Sequence, residues 1–169
     1  AVLILASNLE GQLAWISFLQ NLEMPEYTFG YLWSAMAIVA VMGPLAFSKL
    51  FKPNKEKLFI LLGIILGAIT LFLVLFVNQV IPAIIIILAS GFFAHTRRPA
   101  ERIYFHRFIP SKLRASVGSL ESMVISLTGV IAVPLSGWLV DYIGPRYTIA
   151  GAGIIMLVAA AIYYRIREP

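Results

Sequence analysis

The chain has 169 residues, of which 60% are hydrophobic and 12% charged, with a mean hydropathy of +0.91 and a formal charge of +5. Soluble domains run at roughly 45 to 50% apolar and about 25% charged, so this composition excludes an ordinary aqueous domain and points to lipid as the solvent. The absence of cysteine removes disulfides and Cys-ligated metal. The basic residues fall between apolar stretches, not in a stripe interleaved with aromatics, which argues against a nucleic-acid partner.

At about 20 residues per span, this length predicts an all-α membrane protein of six transmembrane helices with no separate soluble domain. The chain opens inside an apolar run, Ala1 to Leu9, with no basic n-region, and this reads as a helix already under way and not as a signal peptide. The first helix is expected over residues 1–21, ended by the polar stretch Asn21 to Tyr27 with Pro25, and the second over 28–50. Leu58 to Thr96 contains no Asp, Glu, Lys or Arg. As one helix it would be about 58 Å long against a hydrocarbon core of about 30 Å, so it must be two. Asn78-Gln79 and Pro82 supply the turn, placing the third helix at 58–77 and the fourth at 82–108. The last turns of the fourth helix, beyond Thr96, are charged and must lie at the interface or against protein. The fifth is expected over 115–140 and the sixth over 147–164.

Six spans make the loops alternate sides. Of 13 Lys and Arg residues, all but Arg146 then fall on one side. The positive-inside rule makes that side cytoplasmic, with the loops at 49–57 and 107–114 and the C-terminus, in a plasma or inner membrane.

Helices one to three and four to six share a short local match. Gly43-Pro44-Leu45-Ala46 followed by Pro53 stands near the end of helix two, and Val133-Pro134-Leu135-Ser136 followed by Pro145 near the end of helix five. Because these helices run oppositely through the membrane, Pro44 and Pro134 would mark an inverted three-plus-three repeat.

The segment from Ile109-Pro110-Ser111-Lys112 to Gly118-Ser119, and the run from Gly129 through Pro134 and Gly137 to Asp141-Tyr142-Ile143-Gly144-Pro145-Arg146, resemble the major facilitator superfamily. They match its C-terminal six helices, and the resemblance covers the whole chain. Gly43-Pro44-Leu45-Ala46-Phe47-Ser48-Lys49 is similar to the glycine-led loop of that family, with Phe47 and Ser48 standing where it carries Asp and Arg. Val133 and Ser136 replace glycines of the pattern associated with antiporters. The resemblance implies a partner, either a missing N-terminal six-helix half or a second copy of this chain. It also implies a small-molecule substrate moved by alternating access around a central site, with proton-coupled efflux as one form, and no transport by this chain alone.

The residues themselves suggest where such work is done. Glu10 lies near the middle of the first helix, where a carboxylate is expensive, and reads either as a coupling carboxylate or as a packing group. Asn8, Gln12, Trp15 and Leu19 share a stripe suited to an amphipathic substrate or to interhelical hydrogen bonding, with Glu10 and Ser17 nearly opposite. On helix five, Gly118, Glu121, Thr128, Ala132 and Ser136 form a small polar face, while Leu120, Met123, Leu127 and Ile131 face lipid. Glu121 reads either as a lining of the path or as tied to Arg98 or Arg102, and of the two acids inside spans it is the preferred coupling group. His95, Arg98, Arg102 and His106 lie within about 80° of arc on helix four, a cationic stripe that could gate against the other half or snorkel to anionic headgroups. Pro99 should kink that helix near His95. Gly63 and Gly67 read as a helix-packing motif. No cofactor or metal is called for, and the lack of Gly-x-Ser-x-Gly or His-Glu-x-x-His argues against an enzyme. A six-helix channel or a non-transporting assembly subunit is the alternative, although the short outer turns at 78–82 and 141–146 leave little chain for a filter.

Overall fold

The structure, a computed structural model, describes residues 2–50, 55–107 and 109–165, apart from the side chains of Gln12, His106 and Ser111. The described residues are helical, without strands, and six helices are long and apolar enough to cross a membrane. The first is made of α1 (Val2–Leu9) and α2 (Gln12–Asn21), followed by α3 (Thr28–Leu50), α4 (Glu56–Leu73), α5 (Val80–Arg107), α6 (Arg114–Ile143) and α7 (Pro145–Arg165). A short 3-10 turn, Val74–Phe76, ends α4. Pro82 sits in the first turn of α5, where its missing N–H costs nothing, and α5 continues through Pro99 to Arg107.

The first span corrects the expectation of one continuous helix over residues 1–21. It breaks at Glu10–Gly11, near its middle. Glycine is a poor helix former, and here the backbone leaves the helix with Gly11 at φ −54°, ψ −170°. A Cβ at Gly11 would stand 2.9 Å from the carbonyl oxygen of Asn8. In lipid a freed backbone group must find another partner. The carbonyl of Leu9 finds it in Ser136 of α6, whose buried hydroxyl donates at 2.9 Å.

The packing follows a pattern of exchange between the two sets of three spans. The second span, α3, packs on the fourth, α5, and the fifth, α6, packs on the first, α1 with α2. The third packs on the fourth, the sixth on the first, and α4 on α7 closes the centre. Close approaches use small residues, as expected where lipid removes the hydrophobic drive between helices and packing must hold them. A Cβ at Gly43 would meet Cβ of His95 at 2.7 Å and the Thr96 nitrogen at 2.9 Å, so this glycine seats α3 on α5. Gly63 and Gly67 behave as the motif suggests, facing Cβ of Arg97 on α5 and Cε of Met156 on α7, each at 2.9 Å. Ile60, Ile64, Ala68 and Leu71 of α4 are completely buried between them. Leu120, Met123, Leu127 and Ile131 of α6 are exposed, and so is Glu121, which the sequence reading set on the other face.

Each end of the bundle carries a polar tie. At the end holding Asn78, Arg146 donates to the carbonyl oxygens of Leu75 (3.2 Å) and Val77 (2.6 Å) and to Oδ1 of Asn78 (2.9 Å). Its guanidinium also lies over the Phe18 ring, 5.6 Å from the centroid. The carbonyls left open where α4 tightens and stops are thus satisfied from the start of α7. At the opposite end, Arg107 of α5 pairs with the buried carboxylate of Glu56 at the start of α4.

Candidate functional site

The polar interior of the bundle starts at the break in the first span. Ending α1 at Leu9 sets Glu10 between two helical segments, and its side chain turns toward α5. There Ser90 lies within hydrogen-bonding reach and Arg97 within electrostatic reach. Oε2 of Glu10 is buried without a hydrogen-bond partner.

Arg97 is the centre of the cluster. It is only 5% exposed, because Gly63 of α4 leaves room for its stem. Its Nε lies 3.2 Å from Oε1 of Glu101, one turn along α5. The pair is close but not aligned, and neither of those atoms, nor Nη1 of Arg97, makes a hydrogen bond. Tyr104 is buried one further turn along, and Tyr163 of α7 lies within electrostatic reach of Arg97, Glu101 and Tyr104. Glu121 of α6 and Arg98 of α5 act on Glu101 from the exposed edge.

The residues singled out in the sequence fall in different surroundings. The inward basic residue of α5 is Arg97, whereas Arg98 and Arg102 are exposed. His95 is half-buried, with its Cβ against Gly43 of α3, and the side chain of His106 lies outside the described residues. Glu121 is exposed, and the acid that comes within 4 Å of Arg97 is Glu101. Glu10 and Glu121 are therefore not the only acids inside spans. The amphipathic stripe of the first span packs into the protein. Trp15 is buried edge-on to Phe18, Leu19 is buried, and Oδ1 of Asn8 faces Gly129 while its Nδ2 donates to the Ile4 carbonyl at 2.9 Å. The side chain of Gln12 lies outside the described residues.

On α6 the small face is divided. Ala132 and Ser136 are buried against the first span, while Thr128 is half-buried and donates to the Val124 carbonyl. With Val2, Leu5, Leu127 and Ile131, Thr128 lines an apolar cleft between α1 and α6. Pro44 and Pro134 both stand inside their helices, on exposed positions beside the buried Gly43 and close to the buried Ser136.

Ser90, Arg97, Glu101 and Tyr104 escaped the sequence reading, yet a signal for them exists. The buried face of α5 passes through Ala83 and Ser90, and the same heptad step leads on to Arg97 and Tyr104. Following the apolar phase, instead of grouping the charges among themselves, picks Arg97 over Arg98.

Along α5 the buried Arg97 thus stands between Glu10 at the helix break on one side and Glu101, Tyr104 and Tyr163 on the other. A family model described as Major Facilitator Superfamily matches residues 2–169. No curated protein and no solved structure matches the chain.

Proposed function

The chain belongs to the Major Facilitator Superfamily, a family of transporters, and from that membership we propose that it serves secondary active transport of a small solute by alternating access. In this reading it is one six-helix half of a twelve-helix transporter, completed by an N-terminal half or by a second copy, and proton coupling drives efflux. It is an integral membrane protein, and we place the loops at 49–57 and 107–114 and the C-terminus on the cytoplasmic side of a plasma or inner membrane.

The observation that carries the reading is Glu10. A discontinuous span with an ionisable residue at the break, meeting a buried arginine of another span, is the kind of site where transporters hold ions and substrates. Glu10 takes precedence over Glu121 as the coupling acid because Glu10 reaches into the interior and Glu121 is exposed.

The test uses the natural full-length protein in proteoliposomes under an imposed pH gradient, followed by a trapped pH-sensitive dye. From a panel of small solutes, at least one should dissipate the gradient. Glu10→Gln should abolish that dissipation while leaving solute exchange intact, since Gln keeps the size and hydrogen bonding of Glu but cannot titrate. Wild-type behaviour of the Glu10→Gln protein would move proton coupling out of this site.

A further inference from the structure

The tie at the end of the bundle holding Asn78 leaves part of Arg146 unused. A guanidinium carries one N–H on Nε and two on each Nη. The bonds of Arg146 to Leu75, Val77 and Asn78 take one on Nη1 and both on Nη2. Nε–H and the second Nη1–H have no acceptor among the described residues, and no described carboxylate lies within 4 Å of this guanidinium. The side chain is half-buried, and it lines an open cavity of about 340 Å³ between the end of the first span and the turn from α6 into α7. Apart from Asn21 the wall beside it is mostly apolar, with Phe18, Leu22, Ile143 and Pro145.

Aromatic residues set the depth of this cavity. Trp138 and Tyr142, stacked with ring centroids 5.2 Å apart, and Tyr147 are exposed where α6 ends and α7 begins. Exposed Trp and Tyr collect at the headgroup level of a bilayer, so the cavity opens among headgroups. Its charge is divided. Glu23 directly follows Leu22, Asp141 stands two residues before Ile143, and both acids are exposed, while Arg146 is held in the wall. A free anion would meet two like charges at the rim, and a free cation would meet the guanidinium. A zwitterion avoids both, and an acyl tail accounts for the apolar wall. We infer that this cavity binds one zwitterionic phospholipid with an ethanolamine headgroup. The phosphodiester accepts from Nε–H and Nη1–H of Arg146, the ammonium donates to the carboxylates of Asp141 and Glu23, and the upper part of the acyl chains lies against Leu22 and Ile143. This lipid site goes beyond the transport reading and holds for either orientation of the chain in the membrane.

Native mass spectrometry tests this on the full-length protein in detergent micelles, titrated with phosphatidylethanolamine or with phosphatidylglycerol of identical acyl chains. The tightest single lipid should be phosphatidylethanolamine, favoured by about fivefold in Kd, the scale of one exposed ion pair. Glu23→Gln/Asp141→Asn, confined to exposed positions, should bring the two lipids to equal affinity and leave the unfolding midpoint where it was. Ile143→Trp, which adds an indole to the wall and leaves Arg146 its bonds, should weaken phosphatidylethanolamine by about tenfold through overpacking. Equal binding of the two lipids by the wild type, a preference that survives Glu23→Gln/Asp141→Asn, or unchanged binding by a folded Ile143→Trp overturns the site. The double variant touches neither Arg146 nor the wall, so it decides the matter even where Ile143→Trp fails to fold. Glycerophosphoethanolamine, the same headgroup without acyl chains, should not compete. Its competition at equal concentration would replace the lipid with a soluble ligand and overturn the proposal.

Discussion

The hydroxyl of Ser136 donates to the carbonyl oxygen of Leu9 at 2.9 Å, a buried bond between the fifth span and the point where the first span breaks. It turns a helix break in lipid from a liability into a fixed feature. Ser136→Ala leaves that carbonyl unsatisfied, and the expected loss is about 1 kcal/mol, between the small average for hydrogen bonds in membranes and the larger cost of a stranded acceptor. Equilibrium unfolding in mixed micelles should show it, with Ser136→Thr retaining more stability than Ser136→Ala. Equal stability of Ser136→Ala and wild type would mean that the Leu9 carbonyl has another partner.

Glycines at helix crossings should differ in how much they tolerate. An added methyl at Gly43 meets the Thr96 backbone nitrogen at 2.9 Å and the Cβ of His95 at 2.7 Å, neither of which can move without moving α5. At Gly67 the obstacle is Cε of Met156, the free end of a flexible side chain. Gly43→Ala should therefore cost about 1 to 3 kcal/mol by overpacking, and Gly67→Ala less than about 1 kcal/mol. Thermal unfolding monitored by gel filtration ranks them, and the opposite order would contradict the packing described for α3 and α5.

Arg146 should not be replaceable by lysine. Its guanidinium reaches two carbonyls, the Asn78 side chain and the face of Phe18 at once. A compact ammonium lacks the planar fork that spans such a set. Arg146→Lys and Arg146→Ala should each lose on the order of 2 kcal/mol, measured as a lowered midpoint of unfolding. Full stability of Arg146→Lys would show that only the charge matters.

The proposed sidedness can be measured with single cysteines introduced into these 169 residues, which contain none. Single cysteines at Lys55 and Lys112, both exposed, should react with a membrane-impermeant maleimide only from the cytoplasm. At Asn78 and Tyr142, also exposed but at the other end of the bundle, they should react only from outside. Reversal of both pairs would turn the protein over in the membrane, and reversal of one pair would break the alternation of spans.

The class of protein and the six spans were legible in the sequence because hydrocarbon imposes them locally. A span must be apolar for its whole length, and a charge-free stretch can be read off one residue at a time. Gly63 and Gly67 were legible for a similar reason, since two small residues one turn apart on an apolar helix have little use but close approach. What only the tertiary structure decided is the polar interior. Arg97 and Arg98 are neighbours in the chain, and which of them is buried depends on where α4 and the first span lie around α5. The pairing of Glu101 with the buried arginine follows from that choice. The break at Glu10–Gly11 likewise holds because Ser136, 127 residues away, accepts the role that the next turn of helix would have filled. The apolar phase of α5 singles out Arg97, and Glu101 stands one turn along the same helix, but the partners of the break are set by the packing of spans remote in sequence, which no local pattern contains.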